Sequence, residues 1–72
     1  MNKYHIRFNT KHKEMNTDLV WRIFENGNEI LVKNFIVTVP MYGEMTVENG
    51  VEKWNVCCLG TMSITDNVAT IQ

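Results

Sequence analysis

Seventy-two residues, 44% hydrophobic and 21% charged with a formal net charge of −1, describe a single packed domain spanning 1–72 and exclude a disordered tail. A domain this small buries only about 60% of its unfolded surface, so a second copy is an expected way to complete its core. Two cysteines make no disulfide framework, the longest apolar run (VCCL, 56–59) is far too short for a membrane span, and MNKYHIRFNT has no signal-peptide core, so a cytoplasmic protein is expected.

Residues 3–9 alternate Tyr4, Ile6 and Phe8 with Lys3, His5 and Arg7, the period of a half-buried strand. Residues 10–18 (TKHKEMNTD) are polar and aperiodic and read as a loop. The next stretch, LVWRIFENGNEILVKNFIVTVP (19–40), organises the rest. Folded about Asn26-Gly27 as a two-residue hairpin turn, it sets Ile23 opposite Ile30 and Trp21 opposite Val32. Asn34 breaks the alternation before Phe35, Val37 and Val39 resume it, which predicts a bulge or bend; Pro40 ends the strand and Met41-Tyr42-Gly43 reads as a connection.

The device then recurs. Residues 45–48 and 51–59 flank Asn49-Gly50, with Met45 opposite Trp54 and Val47 and Val56 on the same face. Residues 61–65 and 68–71 flank Asp66-Asn67, with Ile64 meeting Ala69 and Met62 meeting Ile71. No window combines helical spacing with a capping box, and β-branched and aromatic residues fill every run. The expected fold is all-β, an antiparallel meander of six or seven short strands closed as a small barrel or sandwich.

Chemical motifs are sparse. Cys57 and Cys58, adjacent on a strand, project to opposite faces and cannot readily share a metal, and no CxxC spacing is present. His5 and His12 lack flanking acids at ligand spacing. No phosphate-binding glycine loop occurs, and no pair of acids is placed for general acid–base work. The expectation is therefore no metal, no cofactor, no catalytic residue and no enzymatic activity.

Charge is uneven. Residues 1–13 hold Lys3, Arg7, Lys11 and Lys13 and no acid, whereas residues 14–72 carry all eight acids against Arg22, Lys33 and Lys53. Such a dipole steers an anionic ligand toward Lys3, Arg7, Lys11 and Lys13, or aligns two copies. Single-stranded nucleic acid is the alternative partner, but Tyr4 and Phe8 alternate away from these basic side chains. Val20, Phe24, Leu31 and Ile36 fall opposite the core-facing residues and need cover, which predicts a homo-oligomer interface or a site for another protein.

KYHIRFNTKH (3–12), LVWRIFENG (19–27) and ENGVEKWNV (48–56) together resemble small proteins of tailed phages that infect marine cyanobacteria. The resemblance implies no activity and carries no site residue. It implies an accessory or structural role in the host cytoplasm or the virion.

Overall fold

Three tight turns, each with two residues at positive φ, set the strand pairing. In the computed structural model, which describes residues 1–8 and 19–72, these are Asn26 (50°) with Gly27 (83°), Asn49 (54°) with Gly50 (76°), and Asp66 (52°) with Asn67 (62°). Two successive left-handed residues make the turn whose twist matches that of the flanking strands, and Asn, Asp and Gly are the residues that tolerate it. All three expected registers are present: Ile23 faces Ile30, Met45 faces Trp54 and Ile64 faces Ala69.

The strands are β1 (Asn2–Phe8), β2 (Trp21–Glu25), β3 (Asn28–Val32), β4 (Asn34–Val37), β5 (Met41–Glu48), β6 (Val51–Gly60), β7 (Met62–Thr65) and β8 (Val68–Ile71). They form a five-stranded sheet in the order β3-β2-β1-β6-β5 and a three-stranded sheet in the order β4-β8-β7. The all-β class stands. Strand count and connectivity differ from the meander: eight strands are described, β1 lies between β2 and β6, and β4 runs parallel to β8.

Two local causes account for the differences. At Lys33 and Asn34 the backbone N–H groups donate to Asn67 O at 2.7 and 3.4 Å, so the chain leaves β2 and crosses to β8 where a bulge is predicted. Met41-Tyr42-Gly43, predicted as a connection, is the first part of β5. Gly43 (φ 126°) permits this, because a Cβ there would lie 2.4 Å from Asn55 O on the paired strand.

Between the sheets sit Tyr4, Ile6, Ile23, Val32, Val56, Cys58, Ala69 and Ile71, all buried. Trp21, Phe35 and Trp54 close one side of this core edge to face, with centroids 4.8 to 5.7 Å apart. Tyr4, 1% exposed on β1, accepts a hydrogen bond at its hydroxyl from the Met62 N–H at 3.2 Å and so ties the two sheets together. Tyr4→Phe removes that acceptor and is expected to lower stability by about 1 kcal/mol, read from the midpoint of urea unfolding.

Candidate functional site

Strand alternation divides the five-stranded sheet into a core face and an outer face. The outer face carries a row of five directly paired residues, one on each strand: Glu29 (β3), Phe24 (β2), His5 (β1), Cys57 (β6) and Tyr42 (β5). Lys3 and Arg7 flank His5 on β1 and are exposed. The Arg7 and Arg22 guanidinium carbons lie 6.0 and 5.2 Å from the centre of the Phe24 ring, within cation–π range.

Two shallow depressions adjoin on this face. One, of about 440 Å³, is lined by Lys3, His5, Phe24, Asn26, Gly27 and Cys57. The other, of about 460 Å³, is lined by Lys3, Tyr42, Gly43, Cys57, Cys58 and Leu59. Lys3 and Cys57 belong to both. Arg22 is paired with Glu29 at 2.6 Å and Lys53 with Glu48 at 3.0 Å, whereas Lys3 and Arg7 have no ion pair among the described residues.

A second exposed feature is the edge of β5. This strand ends the sheet, all eight of its residues are exposed, and among the described residues nothing pairs with its far side. Met45 and Val47 belong to the core face yet remain 47% and 64% exposed. The opposing sheet is built from strands of only four residues and cannot roof a hairpin whose strands have eight and ten.

Hairpin geometry fixes which backbone groups of β5 are unused. In a two-residue turn the flanking pair, here Glu48 and Val51, is hydrogen-bonded on both sides, and bonded and non-bonded pairs then alternate. Tyr42, Glu44, Thr46 and Glu48 therefore bond to β6. Met41, Gly43, Met45 and Val47 direct N–H and C=O toward the open edge.

The predicted interface residues do not share one surface. Phe24 and Leu31 lie on the outer face, Val20 is half-buried just before β2, and Ile36 projects from β4 on the other sheet at 55% exposure. Ile36 parts from the others because the chain changes sheets at Lys33. Of the predicted anion-binding set, Lys3 and Arg7 stand together on β1, while Lys11 and Lys13 lie outside the described residues, as do His12 and the predicted 10–18 loop. Tyr42 falls in a stretch whose sequence reads as a connection, so no local signal places it on this face. Phe24 was read only as an apolar contact, and β1–β6 pairing leaves no local mark in the sequence.

Cys57 and Cys58 do point to opposite faces: Cys58 is buried beside Tyr4, where burial pushes its thiol up from the ordinary cysteine value, and Cys57 is half-buried on the outer face. Cys57 is the strand partner of His5, whose Nε2 contacts Asn55 Oδ1, so a thiol, an imidazole and an amide are neighbours. The backbone N–H groups of the central strands β1 and β6 are engaged in the ladders on either side. Among the described residues no three His, Cys, Asp or Glu side chains cluster to hold a metal, and no helix is long and apolar enough to cross a membrane.

No protein-family model, curated protein or solved structure matches the chain.

Proposed function

We propose that this protein is a non-enzymatic structural or interaction module that assembles with copies of itself by strand addition along β5. One observation carries the reading: an eight-residue exposed edge whose outward backbone donors and acceptors have no partner among the described residues, beside exposed Met45 and Val47. Edge strands are ordinarily protected by lysine, proline, brevity or a covering segment. Met41–Glu48 contains neither lysine nor proline.

The register follows from charge and pleat. A two-fold axis perpendicular to the sheet pairs two β5 strands antiparallel and keeps core face beside core face. With Met45 opposite its own counterpart, Gly43 faces Val47, Glu44 faces Thr46 and Tyr42 faces Glu48, and the outward-directed N–H and C=O groups meet. Shifting the register by one pleat in either direction sets Glu44 against its own counterpart or against Glu48, which is unfavourable.

The resemblance to phage-encoded proteins supports an accessory role in the host cytoplasm or the virion, a setting in which self-assembly is useful. Sedimentation velocity from low to high micromolar concentration tests the reading. A concentration-dependent shift to a dimer is expected, and a monomer throughout contradicts it.

A further inference from the structure

We propose that the outer face of the five-stranded sheet binds single-stranded nucleic acid, with bases stacking on Phe24 and Tyr42 and the phosphates held by Lys3 and Arg7. The inference goes beyond self-assembly and uses the outer face of the sheet, which shares Tyr42 with the proposed seam. Phe24 and Tyr42 lie in one cross-strand row, which Glu29, held by Arg22, continues on β3; three strand spacings of about 4.8 Å put the two aromatics about 14 Å apart. Sheets that read single strands stack two or three bases on the aromatics of one face; here Tyr42 is exposed and Phe24 is half-buried beside Arg22.

The filling of the row suits that use. Between the aromatics lie His5 and Cys57, whose side chains are flat or small, and the two depressions meet over Cys57. Tyr42 is 64% exposed, and among the described residues nothing covers its ring. Arg22 is already paired with Glu29, so it holds the Phe24 ring and adds no unpaired charge, while Lys3 and Arg7 remain available on β1. Glu44, paired in register with Asn55 toward the Arg7 end of the face, repels phosphate there and favours a backbone path along β1. Tyr4 and Phe8 do face inward as the alternation predicts; the aromatics of this face come from β2 and β5 instead.

The test is fluorescence anisotropy of a short labelled oligothymidylate at low salt, with a duplex of the same length and heparin as comparisons. The single strand is expected to bind most tightly. Tyr42→Ala, which removes an exposed ring and leaves the core intact, is expected to weaken binding about 5- to 100-fold. Lys3→Ala with Arg7→Ala is expected to lower the slope of log affinity against log salt by about 1.4. Bound oligonucleotide is further expected to slow alkylation of Cys57. The Met45→Lys/Val47→Lys variant, designed to abolish assembly, is expected to keep the dependence on Tyr42, which separates the two proposals. No binding at low salt, equal binding by Tyr42→Ala, or heparin and duplex binding as tightly as the single strand overturns the inference.

Discussion

Ile23→Ala is expected to remove about 2–5 kcal/mol of stability, a large share of what a 72-residue domain possesses. Ile23 is fully buried on β2 with Ile6 and Ile30 as its strand partners, so the deleted methyl and methylene groups leave a void between three strands. Among the described residues the core holds eight buried side chains, so little neighbouring structure is there to collapse into that space. A loss of more than about 10 °C in melting temperature, compared at one fixed protein concentration, is the expected reading. A shift of under about 2 °C shows that the two sheets do not pack on this residue.

Met45→Lys combined with Val47→Lys is expected to weaken self-association by on the order of 100-fold or more while leaving the monomer stable to within about 0.5 kcal/mol. Both side chains are exposed in the single chain, so the fold loses little when they change. In the paired register they lie at and beside the two-fold axis. Four ammonium groups then crowd the seam, and edge lysines are the common protection against strand addition. Ile36→Lys is the informative control: it alters an equally exposed apolar residue on the other sheet and is expected to leave association unchanged. Loss of the dimer in Ile36→Lys and its retention in the double variant would place the contact where the sequence pattern alone suggests it.

What could be read from the sequence was what neighbours in the chain determine. Asn26-Gly27, Asn49-Gly50 and Asp66-Asn67 each specify a turn, the turn specifies the register, and the apolar alternation agrees with it in all three hairpins. Pairings between distant segments were not legible. β1 joins β6 across more than forty residues, and the parallel β4–β8 pair depends on Asn67 O capturing the N–H groups of Lys33 and Asn34. Met41-Tyr42-Gly43 reads as a connection after Pro40, whereas the missing Cβ of Gly43 is what admits β5 beside Asn55.

The outer face shows the same division. Lys3 and Arg7 could be assigned to one side of β1 from period two alone. That Phe24, Cys57 and Tyr42 join them required strand order, which no local pattern encodes. The apolar residues opposite the core, Val20, Phe24, Leu31 and Ile36, looked continuous only while 19–40 was taken as one sheet.

Residue-resolved amide hydrogen exchange at low and high protein concentration tests strand addition most directly. The ladder to β6 protects the N–H groups of Tyr42, Glu44, Thr46 and Glu48 at both concentrations. Those of Met45 and Val47 have no strand partner among the described residues of the single chain and are expected to exchange fast when dilute and slowly when concentrated. Rapid exchange of Met45 and Val47 at every concentration would contradict assembly through β5.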